Sequence, residues 1–176
     1  MVQAFTILRK KYLWSAELYL AGAKESDIRD ALRERQIRVE EVDWQKIHLL
    51  GDLGSEKLTD YYNLCDVFCM PSYFEAYGLV FAEALTYGLP CIGRDKFAMS
   101  EFIEDGCTGR LISGEDAEKL ALDLWEVLRD PKYREEVERR REWYLREYSW
   151  DKVAQRICSV MEKNERDKDQ YRSAGV

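Results

Sequence analysis

The chain alternates short apolar runs with longer segments whose apolar residues recur at helical spacing, and this alternation restricts its fold more than any other feature. Strands are predicted at residues 16–22, 46–52, 66–72, 91–93 and 108–113. Helices are predicted around them, at residues 2–12, 26–36, 55–65, 77–88, 115–130, 133–148 and 149–164. Strands that alternate with helices build a parallel sheet covered on both faces. We therefore predict a three-layer, Rossmann-like α/β fold with C-terminal helices.

The length of the chain bounds the number of domains. Its 176 residues are enough for one domain with a sizeable core and too few for two of ordinary size. We assign this domain to residues 1–163. The remaining segment, residues 164–176, carries no apolar stripe, and we predict that it forms a flexible tail.

Charge and cysteine content exclude several classes of function. The net charge of −7 argues against a nucleic-acid partner, which selects for a basic surface. No apolar run approaches the roughly 18 residues of a membrane span, and the first residues do not have the order of a secretory signal. The five cysteines form no Cys-x-x-Cys pair and only one histidine is present, so a zinc site is hard to assemble. We expect reduced, mostly buried thiols and a cytoplasmic location.

The segment Pro71–Gly78 is the first candidate for a functional site. It leaves an apolar strand and enters a helix, and ligands of parallel sheets bind beyond the carboxyl ends of the strands. We predict that this helix begins near Ala76 or Tyr77. Its first N–H groups have no partner within the helix, and Gly78 lets a ligand approach the backbone closely. The sequence therefore predicts an anion site that suits a phosphate or a diphosphate.

Two glutamates flank this predicted helix start. Glu75 precedes the helix and Glu83 lies further along it. A carboxylate can accept two hydrogen bonds from neighbouring sugar hydroxyls, so the two acids could hold the ribose and the second sugar of a nucleotide-sugar. The spacing alone leaves another interpretation open. Glu75 can be an ordinary acid of a first helical turn, and Glu83 can be a surface residue of an amphipathic helix.

The segment "PSYFEAYGLVFAEALTYGLPCI", which begins at Pro71, resembles the signature of the retaining nucleotide-sugar glycosyltransferases of family 4, the glycosyl transferases group 1. The similarity extends to "AELYLAG", to "IHLLGDLGSEKLTDYYNLCDVFCMPS", to "SEFIEDGCTGRLI" and to the closing helix "YSWDKVAQRICSVME". It covers roughly residues 2–163. The resemblance implies a GT-B fold, of which this chain matches the C-terminal, donor-binding half.

The resemblance also implies a role for each matching residue. Glu83 would bind the donor ribose. Glu75 would be the catalytic residue, which faces the donor sugar and helps to place or stabilise it. The backbone around Tyr77, Gly78 and Leu79 would hold the diphosphate, and the loop at Gly51 would lie beside the base. The family transfers its sugar with retention and without a metal or another cofactor. The one Asp-x-Asp of the chain, Asp167–Asp169, falls in the predicted tail.

The chain departs from the family pattern at its start. The N-terminal acceptor domain is absent, and so is the first strand of the C-terminal domain, whose loop brings cations onto the diphosphate. Arg94 and Lys96 are the nearest substitutes, and either can also be an ordinary loop charge. We therefore expect a glycosyltransferase of glycan or polysaccharide biosynthesis whose isolated donor-binding half is inactive. The missing strand would expose sheet edges and favour a partner chain or self-association.

Two further expectations follow from the resemblance. Membrane contact, if the protein works at the inner membrane face, would come through the absent half. An alternative function is a non-catalytic partner or scaffold subunit of a split glycosyltransferase. Failure of the purified chain to bind any nucleotide would favour this alternative.

Overall fold

The computed structural model describes the backbone of residues 1–173 and the side chains of residues 1–163. The strands are β1 (Leu18–Ala21), β2 (Ile47–Gly51), β3 (Phe68–Cys69), β4 (Cys91–Arg94) and β5 (Gly109–Ile112). The helices are α1 (Val2–Lys11), α2 (Glu25–Glu34), α3 (Ser55–Leu64), α4 (Leu79–Thr86), α5 (Met99–Phe102), α6 (Ala117–Arg129), α7 (Lys132–Glu147) and α8 (Trp150–Ser173). The α/β class is confirmed, and each predicted strand and helix is present.

The strands pair in parallel, as predicted, but they form two sheets. β1 pairs with β2, and β4 lies between β3 and β5. No strand of the described residues lies between β1 and β3. The predicted parallel pairing is therefore confirmed, and among the described strands β1 and β3 do not pair with each other.

The three-layer arrangement is clearest at β4, which has a strand on either side. Successive side chains of a strand point to opposite faces. Cys91 accordingly belongs to the core under α4 and α7, where Phe81 and Val137 are fully buried. Ile92 belongs to the core on the other face, with Leu8 of α1 and Leu124 of α6. Helices thus cover both faces of this sheet, and the arrangement fixes α4 against β3 and β4.

The smaller sheet has a core of its own. Phe5 of α1 and Leu32 of α2 pack with Val42, before β2, and with Ile47 at its start. Helix α1 carries apolar residues on two sides and therefore contributes to both this core and the core under α6. The two sheets are joined through α1, because their strands do not pair with each other.

The cysteines are free thiols, but the expectation that most of them are buried is wrong. Only Cys91 is buried, Cys65, Cys69 and Cys107 are half-buried, and Cys158 is exposed. Cys65 and Cys69 are half-buried because they line the open space beside β3. Cys158 lies on α8, many of whose described residues face solvent.

The predicted tail at residues 164–176 stays a prediction. Helix α8 extends to Ser173. The side chains from residue 164 onward, including those of Asp167 and Asp169, and the backbone of residues 174–176 lie outside the described residues.

Candidate functional site

The candidate site lies where the chain leaves the carboxyl end of β3. Phe68 and Met70 donate backbone hydrogen bonds to Pro90 and Ile92, at 3.0 Å each, which fixes the end of β3 against β4. Beyond Pro71 the chain forms a loop that Gly78 ends by opening α4. The carboxyl end of a parallel strand therefore meets a helix N-terminus here, as the sequence predicted.

Gly78 sets the geometry of this helix start. Its φ of +81° is left-handed, a conformation that residues with a side chain rarely adopt. A Cβ atom at this position would lie 3.1 Å from Cδ2 of Phe81 and 3.3 Å from Cγ of Glu75. Because a left-handed residue cannot belong to the helix, α4 begins at Leu79, and the prediction of a start near Ala76 or Tyr77 is wrong.

The N-terminus of α4 is partly satisfied by Glu75. The N–H of Gly78 donates to Oε1 of Glu75 at 3.2 Å, and the N–H of Phe81 donates to the carbonyl of Gly78 at 2.9 Å. The N–H groups of Leu79 and Val80, in the first turn, have no acceptor within the helix. Together with the helix dipole they form a positive end that favours an anion. The carboxylate of Glu75 is one anion that this helix end already holds.

Glu83 lies on the exposed side of α4, one turn beyond Leu79. Its Oε2 accepts a hydrogen bond of 3.2 Å from the hydroxyl of Tyr62 on α3. Tyr62 is buried and stacks on Tyr87 with ring centroids 5.2 Å apart. Burial, followed by the negative charge of Glu83, raises the pKa of Tyr62 well above its usual value, so this hydroxyl stays a donor. One carboxylate oxygen is therefore oriented by the protein.

Sequence reasoning did not identify Tyr62 as a site residue. The available signal was its position on the apolar side of α3, which predicts burial and says nothing of its hydroxyl group. A buried tyrosine needs a hydrogen-bond partner, and the nearest acid on α4 supplies it here. Only the packing of α3 against α4 brings the two groups together.

Aromatic side chains form the rim of the site. Tyr77 is 49% exposed and its ring meets the edge of Phe102, with centroids 5.6 Å apart. Phe74 and Phe97 make a similar contact at 5.3 Å, and both are more than half exposed. Leu79 is exposed as well. The rim thus presents apolar surface beside the positive end of α4.

Gly51 lies at the carboxyl end of β2, in the other sheet. Its φ is +62°, its carbonyl accepts from the N–H of Gly22 at 2.7 Å, and a Cβ atom there would meet nothing within 4 Å. The space in front of this loop is therefore open. Glu75, Tyr77, Gly78, Leu79 and Glu83 lie on one segment around the start of α4, whereas Gly51 lies at the end of β2 in the other sheet.

Arg94 is placed differently from an ordinary loop charge. It is 8% exposed, and its guanidinium lies 4.3 Å from the ring centre of Tyr73. Its Nε donates to the carbonyl of Pro71 at 3.0 Å, and its Nη1 donates to the carbonyl of Gly114 at 2.6 Å. Arg94 therefore anchors the start of the loop to the end of β4. Its contact with a diphosphate stays a prediction.

Comparison with known proteins identifies the family of this fold and loop. The profile of the Glycosyl transferases group 1 family matches residues 1–144. The chain belongs to this family. A D-inositol 3-phosphate glycosyltransferase of Kribbella flavida is 32% identical over 98 residues, which are 56% of this chain and 23% of the relative. An uncharacterized glycosyltransferase of Methanocaldococcus jannaschii is 28% identical over 149 residues, 83% of this chain and 37% of the relative.

Solved structures show the same fold at lower identity. The pneumococcal O-GlcNAc transferase GtfA, solved in complex with UDP and GlcNAc, superposes with a TM-score of 0.68 at 24% identity, over 91% of this chain and 32% of the other. A sucrose-phosphate synthase of Thermosynechococcus elongatus superposes with a TM-score of 0.71 at 21% identity, over 94% and 42%. These neighbours are glycosyltransferases of the GT-B fold. This chain spans less than half the length of each of these proteins.

Within the described residues, no helix has the length and apolar character required to cross a membrane.

Proposed function

We propose that this chain is the donor-binding half of a retaining glycosyltransferase and holds a nucleotide-diphosphate sugar at the N-terminus of α4. The observation that carries the proposal is the helix start at Gly78, which has a glutamate on each side and lies at the carboxyl end of β3. Membership of the glycosyltransferase family supplies the reaction class. The UDP complex of GtfA, a protein of the same fold, supports a nucleotide donor.

The diphosphate would be held by the first turn of α4. The N–H groups of Leu79 and Val80 point toward the helix end, where two fixed dipoles and the macrodipole attract an anion. Gly78 contributes no side chain that would hold the phosphate away. A metal ion is then not required to neutralise the donor, in keeping with the family resemblance and with a cofactor-free reaction.

The two glutamates would hold the two sugars. Tyr62 already engages one oxygen of Glu83, so the other oxygen and the remaining lone pairs can accept hydrogen bonds from the ribose diol. Glu75 would release the N–H of Gly78 and turn toward the transferred sugar. Like charges repel at close range, so a diphosphate at the helix end favours this movement. Tyr77 and Leu79 would cover the donor, and Gly51 would lie near the base.

The other half of the enzyme would bind the acceptor. This chain spans 23% to 37% of the two curated relatives described above. We propose that the acceptor domain is supplied by further polypeptide and that residues 1–176 alone do not turn over a donor. The whole protein would act in glycan or polysaccharide biosynthesis in the cytoplasm, including the inner face of the membrane, where the acceptor half makes any membrane contact.

Replacing Glu83 with alanine tests the ribose contact. We expect calorimetric titration with UDP, GDP and ADP to show that the native chain binds one of them. Glu83→Ala should weaken that binding by about 1–3 kcal/mol, because hydrogen bonds to a charged acceptor are lost. Tyr62→Phe is the matched control, since it removes the same intramolecular bond but keeps the carboxylate. Equal weakening by both variants would contradict the assigned role.

Replacing Glu75 with glutamine tests the separate role of the other acid. The amide keeps the size of the side chain and removes its charge from the helix end. We expect the nucleotide diphosphate to bind about 2- to 5-fold more tightly, which corresponds to the ~0.3–1 kcal/mol of a charge at a helix terminus. The extra affinity of the matching nucleotide-sugar should fall at the same time. Glu56→Gln, in the first turn of α3, is the control and should change neither value.

A scaffold subunit is the second candidate function. The open space between the two sheets and the exposed aromatic rim favour it, because both are surfaces on which another chain can pack. If no nucleotide binds to the purified chain, titration should be repeated with the acceptor half of a relative present. Binding that then appears would support the split enzyme, and its continued absence would support the scaffold.

A further inference from the structure

Phe97 adopts a backbone conformation that is unfavourable for its residue type. Its φ is +56°, in the left-handed region that glycine favours and that bulky residues rarely adopt. Its ring is 52% exposed, so burial of the ring offsets only part of this cost. Residues strained in this way persist where the surrounding structure fixes them, and they are concentrated at functional sites. Packing of the core alone therefore does not explain this conformation.

The loop that carries Phe97 is fixed at both ends. Before Phe97, the N–H of Asp95 donates to the carbonyl of Ile112 on β5 at 3.0 Å. After it, Met99 is fully buried in the core under α4. The hydroxyl of Ser100 also donates to the carbonyl of Phe97 at 3.3 Å. The loop thus holds the ring of Phe97 at a defined place outside the core.

A second exposed ring meets Phe97 from another loop. Phe74 is 71% exposed, and its ring contacts that of Phe97 edge to face, with centroids 5.3 Å apart. We call these two side chains the phenylalanine pair. Phe74 directly precedes Glu75, whose carboxylate accepts the N–H of Gly78 at the start of α4. The phenylalanine pair therefore presents apolar surface next to the acid that would face the transferred sugar.

The surroundings of the phenylalanine pair suit a sugar ring. A pyranose has a face of C–H groups and a rim of hydroxyl groups, and the negative face of an aromatic ring attracts the C–H groups. Asp95 and Lys96, which precede Phe97, are exposed. Their carboxylate and ammonium groups can accept from and donate to hydroxyl groups. An apolar surface with a few polar groups beside it is the usual composition of a small-molecule site.

The geometry of sugar transfer indicates which sugar would lie here. The reacting atoms must approach to about 3–3.5 Å, so the acceptor has to lie directly beside the sugar of the donor. In the proposed function the donor sugar faces Glu75. The Cα atoms of Phe74 and Glu75 are about 3.8 Å apart, as in any two successive residues. The ring of Phe74 is therefore within reach of a molecule that lies beside the donor sugar.

We propose that the phenylalanine pair binds a sugar ring of the acceptor, which stacks its C–H face on the two phenyl rings. The pair thereby selects acceptors that present such a face beside the reacting hydroxyl group. The strained conformation of Phe97 is maintained because it directs the ring to this place. The assignment to the acceptor rests on the proposed function, whereas the contact of the rings with a sugar can be measured without a donor.

Saturation-transfer NMR on the full chain tests the proposal. The probes are methyl β-D-glucopyranoside and methyl β-D-galactopyranoside at about 50 mM, because a ligand of this size is expected to bind with millimolar affinity. Irradiation of the aromatic protons should transfer magnetisation to the ring C–H protons of at least one glycoside. Glycerol, which has hydroxyl groups but no ring face, should receive none. Phe97→Gly and Phe74→Ala should each lower the transfer by about fivefold.

Two further measurements separate sugar binding from a structural role. Glycine adopts a φ of +56° without strain, so Phe97→Gly should have a urea midpoint at least as high as the native chain although the sugar contact is lost. Its affinity for nucleotide and the extra affinity of the nucleotide-sugar should not change. Trp14→Ala is the control for an exposed aromatic ring elsewhere, before β1, and should leave the transfer unchanged.

Transfer that persists in Phe97→Gly, or that is absent from the native chain, would overturn the proposal. In the second case the phenylalanine pair would be a contact surface for the acceptor-binding half. Loss of the extra affinity of the nucleotide-sugar in Phe97→Gly would overturn it too, because the pair would then hold the donor sugar. If no nucleotide binds but transfer still depends on Phe97, the proposed donor site fails and the sugar contact of the pair stands.

Discussion

Phe81→Ala is expected to lower the free energy of unfolding by about 3–5 kcal/mol, the range for a large aromatic side chain removed from a closed core. Phe81 is fully buried, and its ring meets Phe68 at a centroid distance of 5.3 Å. Its ring also lies under two glycines, because a Cβ atom would approach it to 3.1 Å at Gly78 and 3.2 Å at Gly93. Removing the ring thus takes support from the helix start as well as from the core.

Urea denaturation measures this loss, and nucleotide titration should show weaker binding in the same variant. Phe74→Ala is the matched control, since Phe74 is 71% exposed and its removal leaves no cavity. Its stability should stay within about 0.5 kcal/mol of the native value. A loss of less than about 1 kcal/mol for Phe81→Ala would mean that the core under α4 is not closed.

Gly109→Ala is expected to destabilise the fold by at least about 3 kcal/mol, the upper end of the range for overpacking. In the native register Gly109 lies opposite Cys91. A Cβ atom at Gly109 would lie 1.8 Å from the carbonyl oxygen of Cys91 and 2.9 Å from its nitrogen. These are backbone atoms of a strand that is paired on both sides, so β4 and β5 would have to separate.

Gly54→Ala is the control for this substitution. Gly54 has a φ of −70°, and a Cβ atom there would meet nothing within 4 Å. Alanine restricts the unfolded chain, which stabilises by about 0.4–1 kcal/mol, but Gly54 is the N-cap of α3, where alanine is less favourable than glycine. The two effects oppose each other, so the stability should change by less than about 1 kcal/mol. The two variants are compared by their urea midpoints. Similar midpoints for both would show that the backbone contact between Gly109 and Cys91 does not restrict the sheet.

The start of α4 shows where a local pattern was insufficient. The apolar run after Tyr77 predicts a helix, and α4 is present, but it begins two residues later than this tyrosine. Helical periodicity does not report the sign of φ, and Gly78 adopts the left-handed conformation that keeps it outside the helix. The two acids were identified from their positions in the sequence. The hydrogen bonds that Gly78 donates to Glu75 and Tyr62 donates to Glu83 are defined only by the folded structure.

Arg94 shows that the sequence also does not predict the partners of a charged residue. Two cations in a loop after a short strand suggest an anion site or a solvated loop. The structure buries Arg94 and directs it to the carbonyls of Pro71 and Gly114, which are 23 and 20 residues away in sequence. Its contact with an anion stays a prediction. The periodicity of the sequence does not predict these contacts, because they depend on two loops that meet at the end of β4.

The sequence by itself determined the order of strands and helices, the parallel class of fold and the segment that carries the candidate site. These follow from local apolar periodicity and from the few residues that end a strand or open a helix. The tertiary structure alone decided that β1 and β3 do not pair, that open space lies beside them, and which groups orient Glu75 and Glu83. Strand pairing and buried hydrogen bonds join residues far apart in the chain, so only packing in three dimensions specifies them.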